Sequence, residues 1–133
     1  MCDNKGPSIT VVKNNNGKIA GGYTSQSWTT ANAYKTDYDS YLFSVDNKKV
    51  YPVKANFGNA IYDHTSYGPT FGGGHDLYIA SSAASSTSSY SNLGHTYHTP
   101  VGVAYSSNEA KNALFGVYNF QPTQVEVFVL SNF

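Results

Sequence analysis

Apolar positions along the chain fall into short runs rich in Val, Ile, Tyr and Phe, separated by clusters of Asn, Gly, Asp, Lys and Ser. Residues 8–13 (Ser-Ile-Thr-Val-Val-Lys) read as a strand, residues 14–17 (Asn-Asn-Asn-Gly) as a turn, and residues 18–23 as a second strand completing a hairpin. Gly21 and Gly22 inside that second strand predict a bulge or a close backbone approach. Residues 29–39 are polar and read as a loop. Residues 41–45 and 50–54 form a further strand pair around the turn at 46–49, and Pro52 places the latter strand at an edge or at its beginning. Residues 59–63 and 76–80 follow as strands, residues 101–105 and 114–117 are short apolar strand candidates, and residues 125–130 (VEVFVL) carry the strongest strand signal. Residues 108–113 offer one helical turn with Asn108 as its cap. No repeat and no linker divides the chain, so residues 1–133 are expected to form one domain. Many short strands with few helices predict a mostly β fold, either two packed antiparallel sheets or a barrel.

Composition narrows the function classes. Charged residues make up only 12%, against roughly 25% in ordinary soluble domains, so polarity rests on Ser, Thr, Asn and Tyr. Twelve Tyr and seven Phe supply sheet faces and a potentially adhesive surface. The basic residues are all Lys, with no Arg, and Lys48-Lys49 is the one adjacent pair, which argues against nucleic acid and against bidentate anion recognition. Zero net charge favours self-association. Cys2 is the one cysteine, so no internal disulfide is possible. No apolar run suggests a signal peptide or membrane insertion, and the expected location is intracellular, in the cytoplasm. Seven serines and one threonine in residues 81–91 read as an exposed flexible loop.

The string with the most chemical promise is residues 67–79 (YGPTFGGGHDLYI). Gly72-Gly73-Gly74 lacks the Lys, the spacing and the following helix of a phosphate cradle, so a sharp backbone turn is the favoured role. His75 and Asp76 are neighbours that a strand would point to opposite faces, which disfavours a shared ligand or an acid–base pair. His64, His95 and His98 add imidazoles without any metal-ligand spacing, so no metal and no cofactor are expected. Serine hydrolase spacing is absent, and Glu109 and Glu126 are the only glutamates, so an enzyme working through His75 and Asp76 is the weakest reading. Hydrogen bonds from a buried His75 or Asp76 that fasten the loop are preferred. Trp28 has the means to stack on a sugar, but a core position is favoured for it, with Phe71, Tyr78 and Phe128.

Six strings in order resemble the TLDc domain, the module of oxidation-resistance proteins and nuclear-receptor coactivator 7. They are Cys2-Asp3-Asn4-Lys5-Gly6-Pro7-Ser8-Ile9, Gly21-Gly22-Tyr23-Thr24-Ser25-Gln26-Ser27-Trp28, Tyr41-Leu42-Phe43-Ser44, Gly68-Pro69-Thr70-Phe71-Gly72-Gly73-Gly74-His75-Asp76-Leu77, Tyr90-Ser91-Asn92-Leu93-Gly94 and Val125-Glu126-Val127-Phe128. The resemblance implies two packed antiparallel sheets (a β-sandwich) with one or two short peripheral helices, no enzymatic activity, and a protein-interaction role. It further implies a link to oxidative-stress protection and to a protein partner, the vacuolar proton-pumping ATPase. The family's domain carries a helical segment before the position of Cys2 that this sequence lacks, so uncovered apolar surface and a homo-oligomer are expected. The competing expectation is a β-sandwich that binds a small ligand, a glycan or Ca²⁺.

Overall fold

The computed structural model describes residues 6–28, 32–54, 56–64, 67–80 and 89–129. Ser8–Asn14 (β1) and Ile19–Thr24 (β2) form the first hairpin. Its turn is built by Asn14, a buried side chain whose Oδ1 accepts from the Asn16 and Lys18 N–H groups at 3.0 and 2.9 Å. The Asn14 amide donates to the Phe115 carbonyl at 3.3 Å, which ties the hairpin to the far end of the chain. Tyr34–Lys35 (β3), Tyr41–Ser44 (β4) and Lys49–Pro52 (β5) follow, then a 3-10 turn at Phe57–Asn59 and Ile61–Tyr62 (β6). Tyr67–Phe71 (β7), Leu77–Ala80 (β8) and Ser89–Ser91 (β9) precede the helix Asn108–Asn112 (α1), and Asn119–Phe120 (β10) and Pro122–Val129 (β11) close the described chain.

The strands pair antiparallel into two sheets, a five-stranded one in the order β11-β1-β2-β4-β5 and a six-stranded one in the order β10-β9-β8-β7-β6-β3. One apolar core lies between them. The first sheet contributes Val12, Ala20, Leu42 and Tyr51, and the second contributes Ile61, Phe71, Leu77 and Ile79. Trp28 caps this core, 8% exposed, edge-on to Phe71 at 5.5 Å, with its indole N–H donating to Ser8 Oγ at 3.1 Å. Of the sandwich and the barrel that the strand pattern left open, the mostly β architecture is the two-sheet sandwich that the resemblance implied, and Pro52 ends an edge strand as its missing N–H requires.

Several local expectations are corrected. Of the two roles expected for Gly21 and Gly22, the close approach is the one found and the bulge is not, because β2 keeps continuous register with both β1 and β4. A Cβ on Gly21 would overlap the Thr10 carbonyl, and one on Gly22 would lie 2.7 Å from Leu42 Cδ2 and 2.8 Å from the Phe71 ring. Residues 101–105 and 114–117 are turns rather than strands. Leu114 and Phe115 are apolar because they plug the core beyond α1, where Phe115 stacks on Phe120 at 4.0 Å. The Ser-rich stretch divides: residues 81–88 lie outside the described residues, while Ser89 and Ser91 are fully buried in β9. The loop expected at 29–39 contains β3. The cap of α1 is Ser107, whose Oγ accepts from the Ala110 N–H at 3.2 Å, one position before Asn108. Phe128, expected in the core, is 51% exposed, and Tyr78 is half-buried.

Because Gly21 faces backbone that has no room to move, Gly21→Ala should destabilise by about 2–3 kcal/mol, as overpacked sites do. Gly116 has φ +78° and nothing within 4 Å of its missing Cβ, so Gly116→Ala should lose only about 1 kcal/mol from backbone strain. Urea midpoints of the two variants measure the difference; equal midpoints would refute the close-approach account.

Candidate functional site

Residues 72–75 turn between β7 and β8 and leave no space for side chains. The His75 N–H donates to the Gly72 carbonyl at 3.1 Å, and the Gly72 N–H donates to the Ala60 carbonyl at 2.9 Å. At Gly72, φ is +90°, and a Cβ would collide with the Asp76 carboxylate. A Cβ on Gly73 would lie 2.6 Å from the His95 ring, and one on Gly74 would lie 2.7 Å from the Tyr105 hydroxyl. The run of three glycines is a backbone device that lets this turn press against residues 92–97.

Asp76 is the fastener. Its carboxylate is wholly buried, and Oδ2 accepts from the backbone N–H groups of Gly94, Thr96 and Tyr97 at 3.1, 3.2 and 3.0 Å. The Asp76 carbonyl also accepts from the Asn92 N–H at 2.8 Å, and the Gly73 N–H donates to Thr96 Oγ1 at 2.9 Å. Burial pushes the Asp76 pKa up from 3.8, against the pull of the three N–H groups and of His95. Oδ1 has no hydrogen-bond partner, so the neutral acid loses less on burial than the anion would. A carboxyl so enclosed has no face left for a substrate.

His75 faces elsewhere. With φ +54° it swings its ring to the outer face of the six-stranded sheet, away from the fastened carboxylate. There it lies 5.8 Å from Tyr78, 5.7 Å from Tyr62, 5.9 Å from Tyr67 and 6.4 Å from Tyr90. Burial holds its pKa below 6.5, and Nδ1 finds no hydrogen-bond partner. The aromatic row extends in both directions, because Tyr34 and Tyr62 are directly cross-strand at 4.5 Å and Tyr78 and Tyr90 are directly cross-strand at 5.3 Å. Tyr90 meets Tyr118 at 5.2 Å, and the Lys111 ammonium sits 5.0 Å above the Tyr118 ring. Mutual burial raises the Tyr90 phenol to about 12, with Tyr118, Tyr78 and Tyr67 reinforcing it. The result is an uncharged band of half-buried rings and phenol hydroxyls across β3, β6, β7, β8 and β9.

The remaining motif residues serve packing. Gly68 and Pro69 sit in β7 at a register shift, where proline's missing N–H breaks no ladder bond, and a Cβ on Gly68 would lie 2.7 Å from the Ile79 carbonyl. Phe71 is fully buried between the sheets. His64 and His75 both contact the Tyr62 and Tyr67 rings, while His95 stands on the other side of the glycine turn against Tyr105 at 5.9 Å. Among the described residues no three His, Cys, Asp or Glu side chains are grouped to hold a metal ion. A cleft of about 70 Å³ lined by Lys18, Asp46, Asn47 and Asn112 is far smaller than the few hundred Å³ of ordinary ligand pockets.

The chain matches the TLDc domain family across residues 1–131. It belongs to the TLDc family. A stretch of 44 residues is also 41% identical to the MTOR-associated protein MEAK7 of Danio rerio, which is 33% of this chain and 10% of that protein. The chain thus spans a small part of the curated relative it matches.

The residues that form the tyrosine band of this TLDc domain are scattered from position 34 to position 118, so no motif gathers them. The available signal is local: in Ser89-Tyr90-Ser91 the serines are buried and the tyrosine points out, the reverse of ordinary alternation.

The Asp76 geometry sets a pH signature. A carboxyl whose native pKa lies above its unfolded value binds more protons folded than unfolded, so its contribution falls as pH rises from 3.8 to the native value. Asp37 runs the other way: hydrogen bonds from Thr24, Asp39 and Ser25 outweigh its desolvation and lower its pKa, so its contribution is lost as pH falls. Asn mimics the protonated acid, so Asp76→Asn should gain on the wild type as pH rises through that window. Asp76→Ala, which strands three buried donors, should lose about 3 kcal/mol throughout. Urea unfolding at stepped pH checks both; parallel wild-type and Asn profiles would contradict the assignment.

Proposed function

We propose that this TLDc domain is a non-enzymatic protein-interaction module whose partner docks on the tyrosine band around His75. The observation that carries this reading is the continuous row Tyr34, Tyr62, Tyr67, Tyr78, Tyr90 and Tyr118 on one sheet face, ring against ring and nearly free of charge. Tyrosine supplies contact area and a hydrogen-bonding tip at low entropic cost, and it is enriched among the residues that dominate protein interfaces. The rings hold one another in place, so little further ordering is needed on binding. The absence of a role in catalysis is supported by the separation of His75 from Asp76 and by the enclosure of the Asp76 carboxylate.

The partner favoured by the family resemblance is the vacuolar proton-pumping ATPase, with oxidative-stress protection as the cellular consequence. The likeness over 44 residues to a protein described as mTOR-associated fits a docking role. Binding of the chain to the purified cytosolic sector of the proton pump, followed by biolayer interferometry, tests the reading. Tyr78→Ser combined with Tyr90→Ser should weaken binding at least about tenfold, the loss expected for two interface anchors. The circular dichroism spectrum should stay unchanged. No binding by the wild type would remove that partner, and unaltered binding by the double variant would remove the tyrosine band. A melting shift with Ca²⁺ or a glycan panel would instead favour a small-ligand module.

A further inference from the structure

We propose that β11 is a self-pairing edge through which two copies of this chain join, antiparallel and two-fold symmetric about Val127. The proposal does not involve the tyrosine band, which lies on the other sheet. β11 is the longest described strand and terminates the five-stranded sheet, with β1 on one side and no strand on the other among the described residues. Exposed edges are normally blunted by Lys, by mid-strand Pro, by bulges or by brevity. The register with β1 slips once, at Thr123, but from Gln124 to Val129 the strand has none of these, and Glu126 is its only charge.

The side chains point the same way. Val125, Val127 and Val129 lie directly opposite Val12, Thr10 and Ser8, which are all buried, so the three valines are on the core-bearing face of the sheet. Yet Val125 is 37% and Val129 is 42% exposed, because this row overhangs the second sheet. Apolar residues that face inward without cover are what a neighbouring strand would protect.

The occupant follows from register. A two-fold pairing that continues the sheet must place inward residues opposite inward residues, so its axis passes through a residue, and the two nearest the middle of the regular stretch 124–129 are Glu126 and Val127. The first register sets Glu126 against its own copy, which like-charge repulsion disfavours. The second sets Val127 against the partner's Val127, Val125 against the partner's Val129, and Glu126 against the partner's Phe128. That register buries six valines side by side and leaves both carboxylates free of each other. Zero net charge on the chain adds no long-range repulsion between copies.

Sedimentation equilibrium of the full chain, over a wide concentration range, should show a reversible monomer–dimer equilibrium. Val127→Lys, an inward charge on the edge, should weaken it at least about tenfold, and the Tyr78→Ser/Tyr90→Ser variant should leave it intact. In a Cys2→Ser background, Val127→Cys should form a disulfide-linked dimer on mild oxidation, because residues on the axis face their own copies within disulfide reach. Glu126→Cys should cross-link much less. A chain that stays monomeric overturns the proposal, as does a dimer that resists Val127→Lys or cross-links better at position 126. A monomer in which the 125–129 amides that point away from β1 are protected from exchange would show that another segment occupies the edge, and would equally overturn it.

Discussion

Backbone N–H groups from positions 18, 20 and 21 residues downstream converge on one oxygen of Asp76. The connections around that carboxyl reach both sheets. Residues 92–97, which it holds, also bind the first sheet: Val53 bridges Tyr97, the Lys54 N–H donates to the Thr96 carbonyl at 2.8 Å, and the His98 N–H donates to the Pro52 carbonyl at 2.9 Å. Tyr97, fully buried, donates its hydroxyl to the Ala60 carbonyl at 2.6 Å and sits 3.0 Å from Ser40 Oγ. A short carboxyl side chain at the head of β8 therefore sets the position of a loop that spans the sandwich. Removing it would leave three buried donors without an acceptor, a larger penalty than the loss of any single exposed contact.

The same constraint frees His75. Once Asp76 points inward, the left-handed turn at His75 sends the preceding ring to the opposite face, where Tyr62, Tyr67, Tyr78 and Tyr90 surround it. The glycine turn thus separates two jobs along five consecutive residues. The inner job is to lock the sandwich, and the outer one is to complete an uncharged aromatic surface. Direct cross-strand pairing of Tyr34 with Tyr62 and of Tyr78 with Tyr90 makes that surface a property of sheet register rather than of a flexible loop.

Much of the sandwich was legible because alternation and turn chemistry act locally. The first hairpin follows from Ser8 to Lys13, three asparagines and a glycine; Pro52 at an edge follows from its missing N–H. What was not legible depended on distant neighbours. Gly21 looks the same in sequence whether the strand bulges or another backbone comes close, and the Thr10 carbonyl decides the matter. Leu114 and Phe115 form an apolar string that fits a strand, but the core they plug fixes them as a turn. Ser89 and Ser91 carry no hydrophobic signal, yet both are buried in β9, where Ser89 Oγ accepts from the Ala80 N–H at 3.0 Å and Ser91 Oγ donates to the Lys111 carbonyl at 3.1 Å. Phe128 was misplaced because a strong strand signal says nothing about which strand ends up at the edge.

Native-state hydrogen exchange at the Gly94, Thr96 and Tyr97 amides tests the central claim most directly. If the Asp76 carboxyl locks the sandwich, these loop amides should exchange only through global unfolding, as slowly as the central strands β2 and β8. Rapid exchange at all three while β2 and β8 remain protected would mean that the loop opens independently, and would contradict the account.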